Sequence, residues 1–281
     1  MSVGTHIKQY IFGALAAVFL LGIAAEVRAG VMYGITGAQN SNSTLYTIDT
    51  TTLATTLVGA TGFSHMTGLA VNSVTGALYC HVSDLSGSET AQLVSINKST
   101  GAGSVIGSTG TQVSDLSFDT SGTLYGWTAS ESGVNGLITI DLGTAAITFV
   151  EPPSLQTSRT GLAFDSGDDL YLKDWNQLFA VDPLTAQLAS VGSVAGASNL
   201  HNVLEFGESG TLFTVSRQGS QSLLYTLDTA DASATLVGDI GIANISALAY
   251  EESTVAVTEP GAGAFLGLGF LGLGWLRRQR R

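Results

Sequence analysis

Catalysis needs nucleophiles, acids, bases or metal ligands, and this chain is sparing with all of them. Three histidines lie in its middle, His65, His81 and His201, and no two stand four apart, the spacing that sets a metal-binding pair on one helical face. Cys80 is the one cysteine, so no intramolecular disulfide forms, and its setting in Ala77-Leu78-Tyr79-Cys80 reads as a small apolar side chain in a strand. The run Asp165 to Asp169, Asp-Ser-Gly-Asp-Asp, has the oxygen density of a calcium loop without the spacing or closing glutamate of an EF-hand; a solvated hairpin turn is the plainer reading. A nucleophile elbow, a phosphate loop and an H-E-x-x-H pair are all missing. No catalytic residue or metal set is assigned, and calcium is the only cofactor left open.

Two carboxylates stand out once the elements that hold them are aligned. Leu45-Tyr-Thr-Ile-Asp recurs as Leu93-Val-Ser-Ile-Asn, Leu137-Ile-Thr-Ile-Asp, Leu178-Phe-Ala-Val-Asp and Leu224-Tyr-Thr-Leu-Asp, at separations of 48, 44, 41 and 46 residues. Ten residues after the Asp or Asn comes a glycine, Gly59, Gly107, Gly192 or Gly238, with Glu151 the exception. A third element centres on Leu69, Leu116, Leu162, Leu204 and Leu248, and a fourth reads Ala77-Leu-Tyr-Cys, Thr123-Leu-Tyr-Gly, Asp169-Leu-Tyr-Leu and Thr211-Leu-Phe-Thr. The fifth copy of that fourth element is Val31-Met-Tyr-Gly, near the start of the chain. Four short strands per unit of about 45 residues is the signature of a β-propeller, and helix-period stripes are absent between Gly30 and Ser253.

Five copies predict an all-β, five-bladed propeller over residues 30–252. In propeller order the Leu162 element is the innermost strand a, the Leu124 element b, the Leu45 element c and the Gly59 element d. The chain therefore enters at b and leaves at a, and one blade must be assembled from both ends. Beside the central leucine of strand a stand Gly68 and Ala70, Gly161 and Ala163, or Ala247 and Ala249, but Asp115 and Glu205 break this small-residue pattern and are expected to approach the central channel. The Asp-x-x-Thr pieces at Asp49, Asp141 and Asp182 fall where c turns into d and are expected to satisfy turn amides.

The predicted loops segregate chemistry to one side. The a-to-b and c-to-d turns are tight and carry one basic residue, Lys98. The opposite face is expected to receive His65, Arg159, His201, Asn202 and Asn244 from d-to-a loops, and His81, Trp127, Lys173, Trp175 and Arg217 from b-to-c loops. Small hydrogen-bonding residues, Thr67, Ser114, Thr160, Asn202 and Ser246, stand two positions before each strand-a leucine as a candidate ring at the channel mouth. Exposed tryptophan suits sugar stacking, so a neutral or weakly charged glycan is the expected ligand there.

The two ends carry a different message. His6 and Lys8 precede an apolar run from Ile11 to Ala25, and Val27 and Ala29 occupy the small-residue positions read by a signal peptidase, so residues 1–29 are expected to be a signal peptide. After a linker at 253–257, residues 258–281 comprise Thr258-Glu259-Pro260, an uncharged run from Gly261 to Leu276, and Arg277, Arg278, Arg280 and Arg281. Such a run just spans a thin bilayer with the arginines held on the cytoplasmic side, leaving the body outside. Without these two segments, 20 of the 22 acidic residues remain against four of the ten basic ones, a net charge of about −16 for the body. A body of that sign excludes nucleic acid, which requires a basic footprint.

The order of short motif, apolar run and arginine cluster resembles the PEP-CTERM sorting signal of Gram-negative bacteria, with Thr258 in place of the first proline. The resemblance implies recognition by an exosortase-type membrane transpeptidase, transient anchoring in the inner membrane, and release to the cell surface or extracellular matrix. The repeats resemble those of secreted bacterial propellers, whose motifs specify a blade and not a function. Two classes of function stand: a non-catalytic surface or matrix protein binding extracellular polysaccharide or another matrix component in a biofilm setting, or a secreted glycosidase- or lactonase-like hydrolase using the channel carboxylates. Resemblance to PEP-CTERM proteins favours the first; a purely structural coat component with no small ligand is a third reading.

Overall fold

A computed structural model of the chain describes residues 30–37, 42–83, 91–128, 135–150, 157, 160–201 and 203–252, all within one compact unit, Ala29–Thr254. The expected signal peptide, linker and sorting segment lie outside the described residues, as do Arg159 and Asn202.

Among the described residues, twenty strands form five antiparallel four-stranded sheets. In blade 1, β1 (Val31–Thr36), β2 (Thr44–Ile48) and β3 (Thr55–Ala60) pair in order, and β20 (Ile245–Glu251) completes the sheet on the inner side. Blade 2 is β4 (Met66–Val71), β5 (Leu78–Val82), β6 (Gln92–Ile96) and β7 (Gly103–Ser108). Blade 3 is β8 (Val113–Phe118), β9 (Leu124–Thr128), β10 (Leu137–Ile140) and β11 (Ile147–Phe149). Blade 4 is β12 (Thr160–Phe164), β13 (Leu170–Asp174), β14 (Gln177–Val181) and β15 (Leu188–Ser193). Blade 5 is β16 (Glu205–Phe206), β17 (Leu212–Gln218), β18 (Gln221–Leu227) and β19 (Ala234–Asp239). The closing pairs Met32↔Tyr250 and Gly34↔Leu248 join the two ends of the body as the repeat order requires.

There is no single core. Apolar residues gather in five clusters, each shared by two neighbouring blades, because both faces of every sheet are covered. Strand-b tyrosines meet a strand-a aromatic of the next blade: Tyr79 with Phe118, Tyr125 with Phe164 and Tyr171 with Phe206, at centroid separations of 5.6, 5.0 and 5.6 Å. Inner strands are also stitched by hydroxyls: Ser246 Oγ donates to the Met66 carbonyl (2.9 Å), Thr67 Oγ1 to that of Val113 (2.8 Å), and Ser117 Oγ accepts from the Phe164 amide (2.9 Å).

The c-to-d turns repeat one local device. Asp49, Asn97, Asp141 and Asp182 each accept the amides two and three residues ahead through Oδ1. The chain then closes through a left-handed residue four positions on, Leu53, Gly101, Ala145 or Ala186, whose amide bonds back to the Asp or Asn carbonyl. These exposed aspartates are held below the usual carboxylate range, Asp49 and Asp182 first by those amides and Asp141 first by the Thr144 hydroxyl and then by its amides. The repeated strand-d glycines make room for the same turns: a Cβ on Gly59 or Gly107 would run into the carbonyl of Thr100 or Thr144 on the next blade.

Candidate functional site

The strand-a carboxylates converge on the axis, where both bond to backbone amides. Asp115 is 2% exposed; its Oδ1 accepts the Leu116 amide and its Oδ2 the Leu162 amide from β12, each at 3.0 Å, and the Leu204 amide of blade 5 also bonds to it. Glu205 accepts the Tyr250 amide of β20. Together they tie four inner strands across the centre. In blades 2 and 4 the position before the central leucine requires glycine, since a Cβ on Gly68 or Gly161 would come within 2.8 Å of the Leu116 or Leu204 amide nitrogen of the next blade. Burial raises both carboxyl pKa values well above the ordinary range, with the charge of Asp115 adding to the rise at Glu205, against the opposing pull of backbone donors. Glu205 lines a funnel of about 890 Å³ that opens among the a-to-b turns, with Lys98, Asp119, Asp165 and Glu251 around it.

Three residues expected in b-to-c loops are instead buried at the ends of b strands. His81, Trp127 and Lys173 each stand two positions after the strand-b tyrosine and are 0% exposed. The b strands outlast their four-residue motif, and their ends anchor the neighbouring connections. His81 Nε2 lies 3.0 Å from Thr109 Oγ1; Trp127 Nε1 donates to Asn135 Oδ1 (2.9 Å) and Thr157 Oγ1 (2.7 Å). Lys173 Nζ donates to the Trp175 carbonyl at 3.5 Å, and burial pulls its pKa down to about 8, partly offset by Asp115 and Asp174. Trp127 therefore offers no face for stacking.

Of the expected hydroxyl ring, the described members turn into the fold. Thr67 and Ser246 bond to neighbouring carbonyls and Ser114 is buried, while the Thr160 hydroxyl is buried with no protein partner. In the 165–169 turn, Asp165 Oδ1 accepts the amides of Gly167 and Asp169 and Asp168 binds Thr120, so these oxygens serve turn donors. Among the described residues no group of three or more His, Cys, Asp or Glu could hold a metal ion.

Trp175, His201 and Arg217 do come together. They line a pocket of about 360 Å³ between the β13–β14 turn, the β15–β16 connection and β17, with Asn176, Ser198 and Asn199. The pocket exists because β16 has only two residues: the preceding chain lies against β17 instead, with Leu200 bridging Ser216, the His201 amide donating to Val215 (2.8 Å), and the Arg217 amide donating to Asn199 (3.1 Å). Trp175 is 55% exposed on the pocket rim. The expected loop residues His65, half-buried beside Ser64, and exposed Asn244 are not pocket-lining residues. Asn199 was not foreseen; its left-handed backbone (φ 53°), which asparagine tolerates, is the only sequence-level hint.

The fold is shared with solved structures. A chain in the crystal structure of a nidogen/laminin complex matches with a TM-score of 0.52 at 12% identity, over 79% of this chain and 98% of that one. This chain is a five-bladed β-propeller. TolB from Acinetobacter baumannii matches the propeller at a TM-score of 0.46 and 12% identity, over 82% of this chain and 68% of that one. No protein-family profile matches the sequence, and no curated protein sequence matches it.

Proposed function

We propose that this propeller is the body of an exported, exosortase-sorted protein of the cell surface or extracellular matrix, and that it binds a glycan or another matrix component without catalysing a reaction. The binding part rests on one observation: a pocket on the loop face, rimmed by exposed Trp175 and supplied with Asn199, His201 and Arg217. Such a pairing of aromatic face and polar groups fits a sugar ring and its hydroxyls. The non-catalytic part is supported by Asp115, both of whose carboxyl oxygens accept backbone amides, and by the Tyr250 amide bonded to Glu205. The sorting part rests on the order of Thr258-Glu259-Pro260, apolar run and arginines.

Protein recovered from the surface of an exosortase-bearing host tests the sorting and the binding. Intact mass should show loss of the tail, and the same material should bind the host exopolysaccharide. Trp175→Ala should weaken that binding by about tenfold, as expected for one aromatic contact, while Lys98→Ala on the opposite face leaves it unchanged. Arg281 still present in surface-released protein overturns the sorting; undiminished binding by Trp175→Ala overturns the site. Trp127→Ala would be uninformative, because that side chain is in the core.

A further inference from the structure

Trp175 and Arg217 occupy the same repeat position in successive blades. Counting four residues from the strand-b aromatic, Tyr33, Tyr79, Tyr125, Tyr171 and Phe213, the chain carries Gly37, Ser83, Ala129, Trp175 and Arg217. Three are small, and only at the pocket does the position carry a large aromatic or a cation. Trp175 holds a left-handed backbone (φ 51°), a genuine outlier for a bulky residue and one that persists only where the surroundings impose it.

Arg217 is stranger still for so acidic a body. Its Nε is buried without a hydrogen-bond partner, it makes no ion pair with a described residue, and burial alone accounts for the lowering of its pKa. Arg217 nevertheless lines the pocket without an ionic partner among the described residues, and an external carboxylate meeting the terminal N–H groups of its rigid fork would supply one. We propose, building on the glycan reading above, that this pocket takes a uronic acid: Trp175 covers the apolar face of the ring and Arg217 binds the sugar's carboxylate. The body's negative charge opposes such a ligand only through a field screened over about 8 Å at physiological ionic strength, so the direct contact dominates. The volume, about 360 Å³, admits a short segment of a chain rather than a long stretch.

The test is calorimetric titration of the full-length chain in mild detergent with oligomers of galacturonic, glucuronic and mannuronic acid and their carboxyl-reduced, neutral counterparts. At least one acidic oligomer should bind, its reduced form roughly tenfold to a hundredfold more weakly, the range for losing a charge-assisted hydrogen bond. Arg217→Gln should lose that discrimination, and Trp175→Ala should weaken both forms. Equal binding of acidic and reduced oligomers, or discrimination retained by Arg217→Gln, overturns the carboxylate role while the glycan reading stands. If no acidic oligomer binds, the uronic acid is overturned, and exopolysaccharide binding by the unaltered protein separately decides the wider reading.

Discussion

His81 sits at the end of β5 with both ring nitrogens near hydroxyls, Nε2 at 3.0 Å from Thr109 and Nδ1 at 3.4 Å from Thr67. Burial keeps the imidazole neutral and lowers its pKa from 6.5 to about 3. Between those values the unfolded chain binds a proton that the native state refuses, so this residue's contribution to stability falls as pH drops below 6.5, by up to about 1.4 kcal/mol per unit. Asp115 and Glu205 act in the opposite sense: with raised pKa values the native state holds their protons more tightly than the unfolded chain does. They are common to parent and variant and cancel in a difference. Urea unfolding of the parent and of His81→Gln at pH 6.5 and 4.5 should therefore show the parent losing roughly 2–3 kcal/mol more stability than the variant on acidification. Parallel losses would show that His81 is not held neutral by the fold.

At the scale of the elements, the contact between strand d and the next blade's turn sets how closely blades approach. Gly59 faces the Thr100 carbonyl so closely that a methyl group forces backbone to move, which side-chain rotation cannot relieve. Gly59→Ala should cost about 1–3 kcal/mol, the range for overpacking, and lower the melting temperature by roughly 3–10 °C in a domain of this size. Gly143→Ala is the matched control: its nearest neighbour would be Asp141 Oδ1 at 3.5 Å, and its φ is not left-handed. That change should be neutral or stabilising by less than about 1 kcal/mol. Equal melting temperatures for the two variants would mean that blade spacing does not depend on the glycine.

For the whole molecule, stability rests on ring closure. β20 pairs with β1 and sends Ala247 and Ala249 into one inter-blade cluster and Ile245 and Leu248 into the next. Its end is clasped by Glu251, which accepts from Tyr33 Oη (3.1 Å) and pairs with Lys98 (2.5 Å). Each of those contacts is part-exposed and weak alone, so the apolar surface of β20 carries the closure. Truncation after Asn244 removes the strand, opens two clusters and leaves β1 as an edge. It should abolish cooperative unfolding, whereas truncation after Glu252 leaves the melting temperature within about 2 °C of the parent, a change of under 1 kcal/mol. Cooperative melting retained by the shorter protein would contradict a closed ring.

Blade number, strand order and closure were legible in the residues alone because each depends on local patterns repeated along the chain: the Leu-centred strands in five copies, the Asp-x-x-Thr turns in three, and the displaced Val31-Met-Tyr-Gly that supplies the fifth strand b. Each turn is held by bonds spanning two to four residues, so its chemistry is local. The site was only partly legible. Trp175, His201 and Arg217 could be put on one face by counting along the repeat, but the burial of His81, Trp127 and Lys173 could not. In a blade packed on both sides, alternation of side chains no longer separates inside from outside, and a polar side chain can be buried wherever the next connection supplies a partner. Asp115 likewise meets the Leu162 amide 47 residues away. Only the tertiary structure decides such contacts, because they arise between inner strands that local sequence shapes individually and that ring closure alone brings together.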